Sequence, residues 1–191
     1  ILNINKLQVA TIGTLGILSK NYKKKTNLTT MDPVTLHKSL EILSKKKVNN
    51  LILEASSHGL EQKRLNNLKI KTGIFTNLSH DHLDYHRNMK SYFNSKMYLF
   101  RNLLNKHSNI ITDEENKEFN VIKNIANNRK IKIITIGLKS GDIKILYNKY
   151  KNNNQLVKIS YNSKILLLEI PLIGYFQLKN LFMAILAARS L

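Results

Sequence analysis

Two polar segments of this chain carry the side chains that could do chemistry. The first runs from Glu54 to Arg64 (EASSHGLEQKR), and the second runs from Thr76 to His86 (TNLSHDHLDYH). Each begins at the end of a short apolar run typical of a buried strand, VNNLILE for the first segment and KTGIFTNL for the second. Because the ligands of parallel sheets gather at the carboxyl ends of strands, the two segments predict a shared site.

A carboxylate and an imidazole at neighbouring strand ends suit a hard divalent cation. Glu54 can supply the carboxylate and His82 the imidazole nitrogen. Mg²⁺ takes few protein ligands and leaves room for phosphate oxygens, so a magnesium site is one hypothesis. The structural alternative is that Glu54 caps a helix and the histidines hydrogen-bond to loop carbonyls. Zinc is disfavoured because His80, His82 and His86 lack a tetrahedral-site spacing and no HEXXH occurs.

Ser56, Ser57 and His58 superficially suggest a hydrolase. Adjacent residues in an extended segment point in opposite directions, so we expect Ser57 and His58 to make a poor nucleophile–base pair. No GxSxG elbow occurs. The absence of cysteine excludes disulfides, thiolate zinc sites and cysteine nucleophiles.

The formal net charge of +19 raises a nucleic-acid hypothesis. The lysines are spread along the chain, in groups such as Lys23–Lys25, Lys45–Lys47 and Lys149–Lys151, rather than in one patch. We interpret them as a solvated surface without a nucleic-acid partner, whose field would also favour an anionic substrate such as a nucleotide. No apolar run approaches the roughly 18 residues of a membrane span. The first residues lack the order of a signal peptide, so we expect no membrane partner and a cytoplasmic location.

The elements that must position these segments alternate between strand and helix. The expected strands lie at 8–14, 48–54, 71–78, 109–112 and 131–138, and the expected helices at 34–46, 89–104, 114–128 and 176–191. Asp32 and Pro33 mark the start of the first helix. Residues 142–173 alternate like antiparallel strands. The order predicts an α/β fold, a mostly parallel sheet flanked by helices with a small antiparallel edge.

The string EASSHGLEQKRL, followed by FTNLSHDHLDYHRNMKSYFNSKMYLF, resembles the signature region of the Mur ligases. Within that family it is most similar to the MurE group, which adds the third amino acid to UDP-N-acetylmuramoyl-L-alanyl-D-glutamate. Supporting matches are IGTLG at Ile12–Gly16, TTMD at Thr29–Asp32 and LIGYFQLKN at Leu172–Asn180. These motifs cover almost the whole chain in the family's order, and they imply the P-loop NTPase-like fold of the family's central domain.

The resemblance also implies roles for individual residues. The catalytic and metal-binding residues would be Glu54, His82 and Lys96, with Lys96 as a carbamate that turns a cation into an anion able to bind Mg²⁺. The UDP-muramoyl-dipeptide would contact Thr29, Thr30, Ser56, Gln62 and Arg64. The ATP contacts would be Asn77, Gln177 and Asn180. On the residues alone, Lys96 is a surface lysine of an amphipathic helix, and Gln177 and Asn180 are equally suited to capping or packing.

The implied activity is an ATP-dependent amide ligase of bacterial peptidoglycan synthesis that works as a monomer and takes diaminopimelate or lysine. The main departure from the family is that no GK[ST] phosphate loop occurs. Two smaller departures are His80, where many relatives have Arg, and Gln177, where others often have Asn. We therefore expect residues 1–191 to be the central ATP-binding domain without its P-loop, without the N-terminal UDP-binding and C-terminal domains, and inactive alone. The alternatives are another Mur or folylpolyglutamate-type ligase, and a non-catalytic basic binding module.

Overall fold

A computed structural model describes residues 2, 4–81 and 83–190 of the chain. The chain divides into two compact units. Unit 1 consists of Ile1–Lys69 and His80–Leu103, and unit 2 consists of Ile70–Ser79 and Leu104–Leu191. The candidate metal and dipeptide residues belong to unit 1, and the candidate ATP contacts belong to unit 2. No helix in the described part of the chain is both long and apolar enough to cross a bilayer.

Unit 1 contains a four-stranded sheet in the order β3-β2-β1-β4. The strands are β1 (Val9–Gly13), β2 (Gly16–Ser19), β3 (Tyr22–Lys24) and β4 (Asn50–Leu53). Strand β1 runs antiparallel to β2 and parallel to β4. Consequently β1 and β4 end at the same edge of the sheet, where Thr14 and Glu54 follow them.

The helices of unit 1 begin at side-chain caps. They are α1 (Pro33–Lys45), α2 (Ser57–Glu61) and α3 (Met89–Tyr98), and α3 continues as a π-helical turn over Leu99–Leu103. The caps are Asp32, Ser56 and Asn88, each of which accepts a hydrogen bond from a backbone N–H in the first turn. The predicted cap at Asp32 is confirmed, with an oxygen 3.0 Å from the Thr35 nitrogen.

Unit 2 contains a six-stranded sheet in the order β10-β9-β8-β7-β6-β5. The strands are β5 (Thr72–Phe75), β6 (Asn109–Asp113), β7 (Lys132–Gly137), β8 (Ile143–Lys151), β9 (Asn154–Tyr161) and β10 (Lys164–Ile170). Strands β5 to β8 are parallel, and β8 to β10 are antiparallel. The helices α4 (Phe119–Arg129) and α5 (Tyr175–Arg189) both contact β6 and β7. The predicted α/β class, with an antiparallel edge over residues 142–173, is confirmed.

Three local features differ from the sequence-based expectation. The helix expected from residue 114 begins at Phe119, because Asp113 Oδ1 accepts a hydrogen bond from the Glu115 N–H at 2.9 Å and holds a turn. Residues 16–24 form an unpredicted hairpin, in which Gly16 has φ +87 and a Cβ there would lie 2.3 Å from the Lys24 carbonyl oxygen. Ser57 and His58 lie in α2 rather than in an extended segment.

Candidate functional site

The carboxylate of Glu54 is held in place at the carboxyl edge of the unit 1 sheet. Its Oε2 accepts hydrogen bonds from the Thr14 backbone N–H at 2.9 Å and from the Thr14 hydroxyl at 3.0 Å. Its backbone N–H donates to the Ile12 carbonyl at 2.8 Å, which extends the ladder between β1 and β4. A Cβ at Gly13 would lie 2.5 Å from Glu54 Oε2 and 2.9 Å from Glu54 Cβ, so any larger residue here would force the carboxylate to shift. The side chain is oriented yet exposed to solvent.

The chemistry of Glu54 fits one ligand of a divalent cation. None of the described residues donates a hydrogen bond to its second oxygen, Oε1, so this oxygen remains available for a hard metal ion. Within residues 2, 4–81 and 83–190, no group of three or more His, Asp or Glu side chains is placed to hold a metal. His82, the other predicted protein ligand, lies outside the described residues. The magnesium site stays a prediction that needs His82 or a modified lysine.

Lys96 lies on α3, half-buried, with its Nζ 5.0 Å from the centroid of the Tyr92 ring. This distance is within the range of a cation–π contact. The contact holds the Lys96 ammonium over the ring of Tyr92, which lies one turn earlier in the same helix. Carbamate formation on Lys96 stays a prediction.

Two threonines connect the loop before α1 to the Glu54 site. The hydroxyls of Thr29 and Thr14 lie 3.1 Å apart. Thr30 is buried, and its Oγ1 donates to the Glu54 carbonyl at 2.8 Å while it accepts from the Ser56 N–H at 2.9 Å and the Ser56 hydroxyl at 3.0 Å. The Thr30 hydroxyl therefore fastens the junction between β4 and α2, and its hydrogen-bonding capacity is used within the protein.

Two residues that follow the end of α2 extend this network, Gln62 and Arg64. Arg64 Nη1 donates to the Thr30 carbonyl at 2.6 Å, and its Nε and Nη2 donate to Gln62 Oε1 at 2.9 and 2.5 Å. Gln62 Nε2 donates in turn to the Tyr85 hydroxyl at 3.0 Å. The structure thus joins the predicted dipeptide residues Thr30, Ser56, Gln62 and Arg64 into one chain of hydrogen bonds. Their contact with a dipeptide stays a prediction.

A buried pair that sequence reasoning missed lies beside this network. His86 Nε2 lies 2.9 Å from the Ser57 hydroxyl, and both residues are buried. The sequence analysis weighed Ser57 with its neighbour His58. In the structure the partner of Ser57 is His86, 29 residues further along the chain. The only sequence signal for the pair was the concentration of histidines in the segment HDHLDYH.

In unit 2, the predicted ATP contacts are exposed. Asn77 lies in the segment after β5, and Gln177 and Asn180 lie in the first turns of α5 at helical spacing on one side of the helix. The structure places Gln177 and Asn180 together and leaves their amides accessible. Adenine contact by any of the three stays a prediction.

An ion-pair cluster, also missed from the sequence, fixes the start of α5. Lys179 Nζ lies 2.6 Å from Asp113 Oδ2 and 2.6 Å from Glu115 Oε2. Burial lowers the pKa of Lys179, but hydrogen bonds to Asp113 and Glu115 outweigh this effect, so its pKa lies above the ordinary value. For the neighbouring Tyr175, burial raises the pKa of the hydroxyl. The positive charge of Lys179 lowers that pKa, but by less. The cluster ties the helix that carries Asn180 to the end of β6.

Residues 1–188 match the family described as the Mur ligase middle domain, and the chain therefore belongs to that family. The resemblance seen in the sequence is confirmed.

Individual relatives refine this assignment. The chain is 35% identical over 178 residues to a UDP-N-acetylmuramoyl-L-alanyl-D-glutamate–2,6-diaminopimelate ligase of Chelativorans sp. (strain BNC1), covering 93% of this chain and 37% of the relative. It is 38% identical over 184 residues to the protein of the same name from Anaplasma marginale (strain St. Maries), covering 92% of this chain and 38% of the relative. The chain thus spans less than two fifths of the length of these relatives.

Solved structures agree on the fold. A structure of a UDP-N-acetylmuramoyl-L-alanyl-D-glutamate–2,6-diaminopimelate ligase superimposes with a TM-score of 0.87 at 30% identity, over 99% of this chain and 39% of that one. A complex of FPGS with AMPPCP superimposes with a TM-score of 0.72 at 13% identity, over 99% of this chain and 53% of that one. The second likeness shows a shared fold alone.

Proposed function

We propose that this chain is the middle part of an ATP-dependent ligase that joins 2,6-diaminopimelate to UDP-N-acetylmuramoyl-L-alanyl-D-glutamate in the bacterial cytoplasm. The observation that carries the proposal is the Glu54 carboxylate, oriented by Thr14 at the common edge of β1 and β4. It is supported by relatives that bear this activity in their names and align over 93% of the chain. The choice of diaminopimelate over lysine follows those names.

In the proposed reaction, the γ-phosphoryl group of ATP moves to the free carboxylate of the dipeptide's glutamate, which forms an acyl phosphate and ADP. The amino group of diaminopimelate then attacks the acyl carbon, loses its proton, and the tetrahedral intermediate expels inorganic phosphate. Mg²⁺, when bound, would neutralise charge on the phosphate oxygens. Glu54, His82 and a carbamylated Lys96 would hold the metal.

The residues of this chain would act mainly by positioning. Thr14 fixes the direction of the Glu54 carboxylate, and Thr30 fixes the backbone on which Glu54 and Ser56 stand. Arg64 holds the Thr30 carbonyl and thereby supports the same loop. Preorganised groups of this kind lower a barrier because they need no rearrangement as the transition state forms. The net charge of +19 favours the approach of anionic substrates.

The test is formation of the UDP-muramoyl-tripeptide by the complete protein that contains these residues, followed by mass spectrometry. We expect product with ATP and diaminopimelate, and a loss of about 10²-fold or more in kcat/KM for Glu54→Gln. Glu41→Gln is the matched control, because Glu41 is an exposed carboxylate paired with Lys45 on α1. Product with lysine but not with diaminopimelate would contradict the substrate assignment, and equal activity of both variants would contradict the role of Glu54.

We also propose that these 191 residues need a phosphate-binding loop supplied from outside them. No GK[ST] motif occurs in the chain, and a backbone cradle of that kind is how this class of fold holds triphosphate. The purified 191-residue chain should release no phosphate from ATP above the blank when the dipeptide substrate is added. Dipeptide-dependent phosphate release by this chain would refute the proposal.

A further inference from the structure

Three residues of unit 1 are arranged like the nucleophile, base and carboxylate of a hydrolytic triad, namely Ser57, His86 and Glu61. His86 Nε2 lies 2.9 Å from the Ser57 hydroxyl, and His86 Nδ1 lies 3.8 Å from Glu61 Oε2. However, Ser57 is only 3% exposed and His86 only 1% exposed. A substrate carbonyl cannot approach a hydroxyl that is buried inside α2 and already bonded. This row of residues therefore does not act as a hydrolytic triad, and its role must be exerted through the groups around it.

The His86 ring joins two elements of unit 1. Its Nε2 contacts α2 through Ser57, and its face stacks on Tyr92 of α3, with ring centroids 5.2 Å apart and an interplanar angle of 28°. Tyr85 meets the same ring edge-on at 4.9 Å. The Tyr92 ring in turn carries the Lys96 ammonium at 5.0 Å from its centroid. A continuous path of contacts thus runs from Ser57 through His86 and Tyr92 to Lys96.

We propose that His86 and Ser57 form a positioning clamp, which fixes segment 83–88 against α2 and sets the position of Lys96 through Tyr92. The consequence for metal-dependent chemistry rests on the proposed function, whereas the mechanical role does not. The clamp lies four positions after His82 in the sequence. Its hydrogen bond to Ser57 and its stack on Tyr92 add to the contact that Tyr85 of the same segment makes with Gln62. Neither Ser57 nor His86 touches substrate in this proposal.

The polar nature of the clamp is what distinguishes it from ordinary core packing. A phenylalanine at position 86 and an alanine at position 57 would fill a similar space without any polar group to satisfy. A buried hydrogen bond adds a defined direction to the contact, because it holds only when donor and acceptor are aligned. The ring of His86 is thereby held in one orientation on Tyr92.

Amide hydrogen exchange of the 191-residue chain tests the mechanical role. His86→Phe keeps the stack but loses the hydrogen bond, Ser57→Ala loses the partner, and His86→Gln keeps an amide near the place of Nε2. We expect exchange of segment 83–88 to rise about 5- to 10-fold in Ser57→Ala and His86→Phe, the effect of one net hydrogen bond, and less in His86→Gln. Ser95→Ala is the control, because this buried hydroxyl donates to the Ser91 carbonyl of its own helix, its one hydrogen-bond partner among the described residues.

The outcomes separate the clamp from general destabilisation. Exchange in β6 and β7 of unit 2 should stay unchanged, and Ser57→Ala decides the question if His86→Phe fails to fold. Unchanged exchange of segment 83–88 in Ser57→Ala, or an equal rise in Ser95→Ala, would overturn the clamp.

Magnesium dependence of the complete ligase tests the consequence for chemistry. We expect Ser57→Ala and His86→Phe to raise the Mg²⁺ concentration for half-maximal activity by about 10- to 100-fold, as for other residues that orient metal ligands. The KM for the dipeptide should stay unchanged, and His86→Gln should recover part of the loss. An unchanged Mg²⁺ requirement would overturn the positioning role. Inactivity of the unmodified ligase would refute the proposed function instead, and the exchange experiment would still decide the clamp.

Discussion

Replacing Lys179 by methionine should destabilise unit 2 strongly, because it removes the cation from the cluster at the start of α5. Methionine keeps the length and packing of the side chain but deletes contacts of 2.6 Å to both Asp113 and Glu115. The side chain of Asp113 is only 4% exposed, so its carboxylate would remain buried beside Glu115 without the opposing charge.

The magnitude follows from the degree of burial. Breaking a fully buried pair costs about 3–5 kcal/mol. Lys179 is 18% exposed and Glu115 is 34% exposed, so solvent screens part of the loss, and we expect about 2–3 kcal/mol. The exposed Lys45–Glu41 pair provides a matched control, with the same distance of 2.6 Å but side chains 74% and 64% exposed. Lys45→Met should cost about 0.5 kcal/mol or less.

The assay is urea unfolding of the 191-residue chain and both variants, followed by far-UV circular dichroism. The pH dependence supplies a second signature. Because the pKa of Lys179 in the fold lies above its ordinary value of 10.5, its stabilisation is complete below that value and is lost as the pH rises through the folded pKa. The difference between wild type and Lys179→Met should therefore shrink above about pH 10.5. Equal costs for Lys179→Met and Lys45→Met at neutral pH would refute this reasoning.

Three further predictions concern unit 1. Thr30→Val should lower the free energy of unfolding by about 2–3 kcal/mol, because the Glu54 carbonyl and the Ser56 N–H and hydroxyl lose their partner. Thr30→Ser keeps the hydroxyl and should cost less than half of that in the same urea experiment. Gly13→Ala should impair the magnesium-dependent activity of the complete ligase while the melting temperature changes little, because the new methyl group would displace the Glu54 carboxylate. A large drop in melting temperature that accounts for the lost activity would contradict this prediction. The backbone hydrogen bond from Thr35 lowers the pKa of Asp32 below 3.8, so its stabilisation is present above that value and lost as the pH falls through the folded pKa. Asp32→Asn should therefore flatten the acid limb of the stability curve.

The parts of the fold that sequence predicted well depend on local patterns. The cap at Asp32, the apolar spacing of α3 and the alternation of residues 142–173 each involve neighbours within a turn or along a strand. The apolar run 48–54 also placed Glu54 at the end of a strand, and β4 ends at Leu53. The start of α4 was wrong, because the Asp113 side chain competes for a backbone N–H where helix propensity alone would continue.

The candidate site could be predicted in composition but not in connectivity. The resemblance predicts that Arg64 and Thr30 both contact the substrate. It does not reveal that the Arg64 guanidinium donates to the Thr30 carbonyl, 34 residues away. The contact between Ser57 and His86 spans 29 residues, and that between Lys179 and Glu115 spans 64. Periodicity and motif spacing carry no information about which polar groups meet across such distances.

The sequence by itself established most of the alternation of strands and helices, the family and the two segments where polar side chains collect. Those properties follow from backbone propensity, apolar periodicity and the rule that parallel strands end at one edge. Only the tertiary structure decided which of these side chains face solvent and which are used to hold the others. The reason is physical: a buried polar group is satisfied by whichever partner the fold brings within hydrogen-bonding distance.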